Sequence, residues 1–468
     1  MNDAPALRVV PWADFSSTRR SVLQAFLDGR PRTRSDIAAV IGQSLPSAAG
    51  HIDALESLEL ITTVTSRASN SKAFENPTFE NPVSPGDRGT GRTAQGSTAL
   101  AGPASPSRTA TGSTGAGRPP AAWRLNPRAA AAIGIEIRPG GPRRASARIA
   151  TRIVLLDGSV ACEHERAVSW SELRKTRDLI HREALSIQQA PEAEDLPVMS
   201  LGVAIPGVVD CKRRLLIHAP NLFLSNVGFQ DLEESLGMRV FVDNEANTAA
   251  LAEYALCRFA PRESASGAQR SGDDRVGLGE AIAPLASESM VRISITEGVG
   301  AGILVDGALM RGDAWRAGEF GHMAIRDGSR PCNCGRTGCW EQYASEWALL
   351  ADARAAGLRA RTLKGILREV VAGEPHALSV WQSYVHALAT GIENIAACID
   401  PGTIVVGGKI ASAGDLLVAP LRCEVESISF LTSGIQVDVS QLGPWSASLG
   451  AALLSFGNIF HSTKESVA

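Results

Sequence analysis

The sequence has no long apolar run. No apolar segment approaches the length of a membrane span, and the N-terminal segment MNDAPALRVVPWADF lacks the apolar stretch of a secretory signal. We therefore expect a cytoplasmic protein without a membrane partner. With 468 residues, of which 44% are hydrophobic and 20% charged, the chain has the composition of a globular protein of two or three domains.

The sequence is also poor in cysteine and in net charge. Eight cysteines in a chain of this length do not suggest a disulfide framework, and three of them lie in one short segment, which points to metal binding. The net charge of −3 excludes a global basic field of the kind that attracts nucleic acid. Residues 1–65 hold six Lys/Arg against seven Asp/Glu, whereas residues 66–128 hold eight against three. Positive charge for a DNA contact would therefore come mainly from the second stretch.

The N-terminal region predicts three short helices followed by a strand. Apolar residues recur with helical spacing over about residues 18–27, Thr33 or Ser35 can cap a second helix, and a third helix begins near Pro46. The β-branched run at residues 60–64 predicts a strand. This order is typical of a winged helix-turn-helix domain, although a small helical bundle that binds no DNA fits the same pattern.

A change of composition at residue 66 predicts a domain boundary. Residues 66–116 are rich in Ser, Thr, Gly, Pro and Ala, and their few apolar anchors predict a disordered insertion or linker. Residues 117–128 are expected to return as the wing strand and to complete the DNA-binding domain formed by residues 1–65. A second low-complexity insertion is predicted over about residues 261–289.

From residue 130 onward, short β-branched runs alternate with helical segments. The runs at residues 133–137, 198–204 and 291–295 predict strands, and the segments at residues 248–259 and 375–398 predict helices. This alternation is typical of an α/β fold whose sheets are covered by helices.

Three cysteines and one histidine have the spacing of a metal site. Cys332, Cys334 and Cys339 follow His322, and three thiolates with one imidazole complete the tetrahedral coordination of Zn²⁺. Because the protein supplies all four ligands, such a zinc ion would be structural rather than hydrolytic. Free reduced thiols, or a redox pair of Cys332 and Cys334, are the alternatives.

Around these cysteines the sequence resembles the ROK family, which groups bacterial repressors with sugar kinases. The resemblance covers about residues 129–458 and implies a two-lobed, actin/hexokinase-like α/β fold. Lobe 1 would comprise residues 129–247, lobe 2 with the zinc knuckle residues 248–446, and a C-terminal helix at residues 447–468 would return to lobe 1. The motifs that carry the resemblance are Ala317-Gly318-Glu319-Phe320-Gly321-His322, Cys332-Asn333-Cys334-Gly335, Gly338-Cys339-Trp340-Glu341, Ile205-Pro206-Gly207, Ala219-Pro220-Asn221 and Val406-Gly407-Gly408.

The resemblance also implies a ligand site. Family members bind a sugar in the cleft between the two lobes, and the matching positions in this chain are Asn244, Glu245, Glu319, His322 and Glu341. His322 would then have two roles, with one ring nitrogen on zinc and the other directed at a sugar hydroxyl.

Three departures from the kinase pattern predict that phosphoryl transfer is lost and that no ATP is bound. Glu245 stands where kinase members place the Asp that acts as the base. Residues 138–142 read Arg-Pro-Gly-Gly-Pro where kinase members have Gly-Gly-Thr, and the prolines remove N–H donors from this phosphate loop. In the second loop, residues 298–302 keep their glycines, but Thr296-Glu297 replaces Gly-Thr and places a carboxylate where kinase members have a phosphate-binding hydroxyl.

We therefore predict a sugar-responsive transcription regulator, a repressor of carbohydrate-metabolism genes, that acts as a homodimer or homotetramer. Repressor members of the family carry an N-terminal winged helix with a Gly-Arg-Pro wing sequence, which residues 117–119 match. The predicted recognition helix, however, carries no Lys or Arg that could contact base edges. An ATP-dependent, glucokinase-like sugar kinase and a degenerate sugar-binding scaffold are the alternatives. The residues expected at the DNA operator are Arg32, Arg34, Ser44, Ser47, His51 and Arg118.

Overall fold

The computed structural model describes residues 15–64, 121–140, 146–259, 288–325, 330–428 and 430–460. The predicted insertion at residues 66–116, Arg118 with its Gly-Arg-Pro motif, Pro142 and most of the predicted insertion at residues 261–289 lie outside these described residues. Within the described ranges, no helix is both long enough and apolar enough to cross a membrane.

An N-terminal unit combines three helices with a small sheet, in the order that the sequence predicts for a winged helix. Its strands form an antiparallel sheet in the order β1-β3-β2. The first helix ends before the predicted Leu27, because the N–H groups of Phe26 and Leu27 bond to carbonyls three residues back in a tight turn. The elements are α1 (Ser17–Ala25), β1 (Arg32–Thr33), α2 (Arg34–Ile41), α3 (Leu45–Ser57), β2 (Ile61–Val64) and β3 (Ala122–Leu125).

Local side chains fix the ends of these helices. The Ser16 hydroxyl accepts a hydrogen bond from the Arg19 N–H at the start of α1. Thr33 and Asp36 form a capping box at the start of α2. Gly42 ends α2 in the left-handed conformation, with φ of 63°, which glycine adopts without steric cost.

The first of two five-stranded sheets, sheet I, has the strand order β11-β7-β4-β5-β6. Its strands β4, β7 and β11 are parallel, whereas β5 and β6 extend the sheet as antiparallel strands. A small antiparallel sheet of β8, β9 and β10 lies beside it. The elements are β4 (Ala131–Gly140), β5 (Ser146–Leu155), β6 (Val160–Val168), α4 (Trp170–Leu173), α5 (Thr176–Gln188), β7 (Val198–Ile205), β8 (Val208–Asp210), β9 (Leu215–Ala219), β10 (Leu224–Gly228), α6 (Asp231–Leu236), β11 (Arg239–Asn244) and α7 (Glu245–Phe259).

The second sheet, sheet II, has the strand order β14-β13-β12-β15-β16. Strands β12, β15 and β16 are parallel, and β13 is antiparallel to both of its neighbours. The elements are β12 (Met290–Ile295), β13 (Val299–Val305), β14 (Ala308–Leu309), α8 (Glu341–Ala344), α9 (Glu346–Ala355), α10 (Leu363–Val371), α11 (Pro375–Ile399), β15 (Thr403–Gly408), α12 (Asp415–Ile428), β16 (Gln436–Val439) and α13 (Ser446–Ser455).

Helices α7 and α13 connect the two sheets. Helix α13 lies against β4 and β7 of sheet I, and α7 packs against α13 and against β12 and β13 of sheet II. A Cβ atom at Gly202 would lie 1.8 Å from the carbonyl oxygen of Ala451, and one at Gly450 would lie 1.7 Å from that of Thr248. Only glycine permits these approaches, so direct backbone contact sets the positions of both helices.

The N-terminal unit shares a hydrophobic core with the C-terminal part of the chain. Phe26 of the unit belongs to the same cluster of buried side chains as Phe456 and Phe460, which follow α13. The side-chain amide of Gln24 on α1 donates a hydrogen bond of 2.8 Å to the carbonyl oxygen of Ile459. One end of α13 is therefore tied to the N-terminal unit.

Candidate functional site

A cavity of about 1460 Å³ is lined by residues of both sheets. Five side chains that the family resemblance implies for sugar binding all line this cavity, although they come from β11, α7, the segment after β14, and α8. They are Asn244, Glu245, Glu319, His322 and Glu341.

Asn244 is the last residue of β11, and its side chain organises the start of α7. Its amide nitrogen donates to the carbonyl oxygen of Gly207 at 2.9 Å. Its amide oxygen accepts from the N–H groups of Ala246 at 2.7 Å and Asn247 at 3.3 Å. These bonds hold both ends of the amide group and orient the helix that begins with Glu245.

Glu245 places a carboxyl group in the wall of the cavity. Protein surrounds the carboxyl group, while the side chain keeps some exposure to the cavity. Its Oε2 atom is buried, and no described residue donates a hydrogen bond to it. Burial raises the pKa of Glu245 to about 7, and the charges of Glu136 and Glu319 add to this effect. The free oxygen is therefore an acceptor that a ligand hydroxyl could fill.

The glycine-rich turn between β12 and β13 lies directly against these carboxylates. A Cβ atom at Gly298 would lie 3.0 Å from Oε2 of Glu341, and one at Gly300 would lie 3.3 Å from Cβ of Ala246 and 3.8 Å from Oε1 of Glu245. Space beside α7 and α8 is therefore limited at both glycines.

Glu319, His322 and Glu341 form the acidic side of the cavity. The His322 Nε2 atom lies 3.9 Å from Oε2 of Glu319, and its Nδ1 atom lies 3.7 Å from Oε1 of Glu341. Burial raises the pKa of Glu319, against the opposing effect of His322. The Nε2 side of the imidazole therefore faces the carboxylate of Glu319.

The Nδ1 side of the same imidazole faces the cysteines. Nδ1 of His322 lies 3.6 Å from Sγ of Cys332, and Sγ of Cys334 lies 3.6 Å from Sγ of Cys339. The ligand atoms of these four residues all lie within 4.8 Å of one another. This cluster could hold a metal ion, and its set of three sulfur atoms and one nitrogen atom matches the donors that structural zinc sites use.

The other side of the cavity is occupied by paired charges. The Nε atom of Arg138 forms an ion pair with Glu136, and the Arg138 guanidinium lies 4.5 Å from the ring centroid of Trp445. Oε2 of the buried Glu136 accepts a hydrogen bond of 2.9 Å from the Ser448 N–H on α13. Pro139 and Gly140 are not in a loop, because they continue the β4 ladder opposite β5.

A second buried pair lies close by. Arg292 on β12 is fully buried, and its Nε atom lies 3.2 Å from Oε2 of Glu253 on α7. Its Nη2 atom donates to the Ser446 hydroxyl at 2.8 Å. Arg138, Arg292 and Glu253 are not predictable as site residues from the sequence, because nothing in the local sequence distinguishes a buried paired charge from a solvated one.

Two of the three arginines predicted at the DNA operator lie in the described residues, and their environments differ. Arg32 donates from Nε to the Ala25 carbonyl at 2.6 Å and from Nη2 to Asp28 at 2.7 Å, so its guanidinium is engaged within the unit. Arg34 keeps about half of its side chain exposed (51%), 3.5 Å from Asp53. It also stacks over Trp123 on β3, with 5.4 Å between Cζ and the ring centroid.

The three residues predicted to contact bases lie at the start and along the first half of α3. Ser44 caps α3 from an exposed position, without a side-chain hydrogen bond to the helix. Ser47 donates to Oε1 of Gln43 at 2.5 Å. Burial lowers the pKa of His51, and the nearby Arg19 contributes to the same effect. The spacing of Ser44, Ser47 and His51 places them on one face of the helix.

The sequence pattern of the ROK family matches residues 150–259 and 275–457, which is more than half of the chain. The chain belongs to the ROK family. A glucokinase of Halalkalibacterium halodurans is 29% identical over 277 residues, which cover 55% of this chain and 76% of the glucokinase. A xylose repressor of Bacillus subtilis is 25% identical over 302 residues, which cover 63% of this chain and 71% of the repressor. Kinases and repressors of the ROK family are thus similar to this chain to a comparable degree.

Two solved ROK structures share the fold. A ROK family transcriptional regulator, a homolog of the E. coli MLC protein, has a TM-score of 0.67 at 19% identity, and the match covers 95% of this chain and 96% of the regulator. A ROK family glucokinase from Streptomyces griseus in complex with glucose and AMPPNP has a TM-score of 0.54 at 25% identity, over 69% of this chain and 98% of the kinase. The predicted two-lobed, actin/hexokinase-like α/β fold is confirmed by these likenesses.

Proposed function

We propose that this ROK protein is a sugar-responsive transcription regulator, a repressor of carbohydrate-metabolism genes, whose ROK part binds a sugar without phosphorylating it. The observation that carries the proposal is the ion pair of Arg138 with Glu136 at the end of β4. Kinase members of the family are expected to cradle phosphates at this point with free backbone N–H groups. In this chain the backbone of residues 138–140 is paired with β5, and an arginine of the protein already neutralises the local carboxylate.

The sugar would bind at the acidic side of the cavity. Carboxylates with two acceptor oxygens suit the vicinal hydroxyls of a sugar, and Glu319 and Glu341 are separated by the imidazole of His322. The unpaired Oε2 atom of Glu245 would accept one further hydroxyl. Because Asn244 fixes the start of α7, it holds Glu245 in position and presents its own edge to the cavity.

Zinc fits the cluster of His322 and the three cysteines, because three thiolates and one imidazole complete its tetrahedral coordination. When bound there, zinc would act as a structural ion. The ion would also fix the orientation of the His322 ring. Because Nδ1 points at the cysteines, Nε2 can donate a hydrogen bond to a ligand hydroxyl or accept one from it.

The N-terminal unit would bind DNA as a winged helix, with α3 as the recognition helix. Ser44, Ser47 and His51 would read base edges, and the exposed Arg34 would contact the phosphate backbone. Arg118 is proposed as a further backbone contact, and Arg32 as one that would use the guanidinium N–H groups not bonded to Ala25 and Asp28. In a homodimer or homotetramer, two such units would bind the two halves of an operator.

Helix α13 offers a connection between the cavity and the N-terminal unit. Its first turn contacts Arg292 through Ser446 and Glu136 through Ser448. The residues that follow its end pack against α1. A sugar that binds one arrangement of the two lobes more tightly would favour that arrangement. Through α13 it would then change the fraction of N-terminal units that can bind DNA.

An ATP-dependent sugar kinase is the second candidate, and Glu245 is the observation that favours it. A carboxyl group with a pKa of about 7 beside a ligand cavity is suited to act as a general base. A coupled ADP-release assay with D-glucose, D-mannose, D-xylose and N-acetylglucosamine separates the two functions. We expect background rates, whereas sugar-dependent turnover of about 1–100 per second would establish the kinase. A scaffold that binds sugar without DNA would show neither turnover nor operator binding.

A further inference from the structure

Trp315 has a backbone conformation that its residue type disfavours. It lies in the loop between β14 and Glu319, with φ of 60° in the left-handed region. This conformation is strained for a bulky side chain such as tryptophan. Such strain persists only where the surrounding structure imposes it, and it is common at ligand sites.

Contacts on both sides of Trp315 impose the conformation. Before it, Nε of Arg311 lies 2.9 Å from Oδ2 of Asp243, which ties the loop to the end of β11. After it, a Cβ atom at Gly318 would lie 2.2 Å from the carbonyl oxygen of Ala301, so this part of the loop rests on β13. The Ala317 N–H closes the loop on the Arg311 carbonyl at 3.0 Å.

The strained residue lines the ligand cavity. Trp315 is half-buried and contributes to the cavity wall together with Glu319, four residues further along the same loop. Among the described residues, no acceptor bonds to the indole N–H of Trp315, and no aromatic ring or guanidinium stacks on its ring. Hydrogen bonding and ring stacking within the described residues therefore do not account for a large aromatic side chain in this conformation.

We propose that Trp315 is a ligand-contacting residue whose indole ring stacks on the apolar C–H face of the sugar that Glu319 and His322 bind. This inference rests on the proposed sugar-binding function and adds a specificity element to it. The face of an aromatic ring carries partial negative charge and the C–H groups of a pyranose carry partial positive charge, so the two faces attract each other. The carboxylates accept hydrogen bonds from the sugar hydroxyls, and the indole ring of Trp315 favours sugars that have an apolar face.

The test compares full-length wild type with W315G and W315F by calorimetry, using D-xylose, D-glucose, D-mannose and N-acetylglucosamine. Glycine adopts a φ of 60° without strain, so W315G is expected to fold, which far-UV circular dichroism checks. We expect W315G to bind the preferred sugar about tenfold more weakly and W315F to remain within about threefold of wild type.

Tryptophan fluorescence gives a second readout. Sugar binding should change the emission of wild type, and this change should be clearly smaller in W315F but retained in W170F. Trp170 is the matched control because it packs edge-on against Phe223 and does not line the cavity. Unchanged affinity in W315G, or an unchanged fluorescence response in W315F, overturns the role of Trp315 alone. A wild type that binds none of the four sugars overturns the proposed sugar binding and this inference together.

Discussion

The Nε atom of Arg311 lies 2.9 Å from Oδ2 of Asp243, which joins the loop that carries Trp315 to the strand that carries Asn244. The other oxygen of the buried Asp243 accepts hydrogen bonds from the Asn244 N–H at 2.7 Å and from the Asn247 side chain at 3.0 Å. One carboxylate therefore organises two parts of the cavity wall, the end of β11 in sheet I and the loop that follows β14 of sheet II.

Removing the cation should destabilise the fold. R311A leaves the Asp243 carboxylate buried without its cation, and we expect the free energy of unfolding to fall by about 3 kcal/mol. Urea unfolding followed by circular dichroism measures the loss. R316A, an exposed arginine on the same loop, is the matched control and should change stability by less than about 0.5 kcal/mol. Equal stability of R311A and R316A would contradict the importance of the ion pair.

The charge of Glu245 should appear in the pH dependence of stability. Its pKa in the folded protein is about 7, above the ordinary value of 4.5, so the folded state holds its proton to higher pH than the unfolded state does. The contribution of Glu245 to the free energy of unfolding is therefore greatest below pH 4.5, and it is lost as the pH rises towards 7. E245Q removes the titration, so its stability relative to wild type should be about 2 kcal/mol greater at pH 8 than at pH 5.

The control for this experiment is E234Q, because Glu234 is exposed on α6. Its stability relative to wild type should be the same at both pH values. If E245Q also shows no difference between pH 5 and pH 8, the buried carboxyl group does not titrate near neutral pH.

Features with a local sequence signal could be predicted, and features that depend on distant partners could not. The close spacing of Cys332, Cys334 and Cys339 predicts a cluster, and the structure brings their sulfur atoms together with His322. Arg292 and Glu253 lie 39 residues apart on different elements, so their pairing emerges only from the packing of α7 on β12. The strain at Trp315 likewise arises from contacts at both ends of its loop and has no signature in the sequence.

In the N-terminal unit, too, local features could be predicted and contacts with distant partners could not. The capping box at Thr33 and the glycine turn at Gly42 are local, and the predicted order of helices matches the structure. Arg32, in contrast, is predicted at the DNA operator, and its guanidinium bonds to the Ala25 carbonyl and to Asp28. The sequence could not show this, because the acceptor on Ala25 is a backbone carbonyl left free at the end of α1.

The zinc content of the protein should depend on the cysteine cluster. We expect purified protein to contain one zinc ion per chain by elemental analysis, and C334S to lose most of it because a closed tetrahedral site loses one ligand. C398S is the matched control, since Cys398 is exposed on α11 and outside the cluster. Removal of the metal by a chelator should lower the thermal midpoint of wild type. Equal zinc content in C334S and C398S would exclude the cluster as the zinc site.

The salt dependence of DNA affinity should distinguish the role of Arg34 from that of His51. R34A should reduce the slope of log affinity against log salt by about one and weaken binding to all sequences alike. H51A should weaken operator binding by about 1–3 kcal/mol and leave the salt slope unchanged. S57A, at the far end of α3, is the control for both. A salt slope that H51A lowers and R34A leaves unchanged would reverse the assigned roles.

The most direct test of the proposed regulator is fluorescence anisotropy of the full-length protein with DNA from upstream of its own gene. It is measured at two salt concentrations, with and without D-xylose, D-glucose, D-mannose and N-acetylglucosamine. The proposed function predicts tight, salt-dependent binding that one sugar changes several-fold, together with no ADP formation from ATP. Binding no stronger than to scrambled DNA, with sugar-dependent ADP formation, would contradict it and identify a kinase.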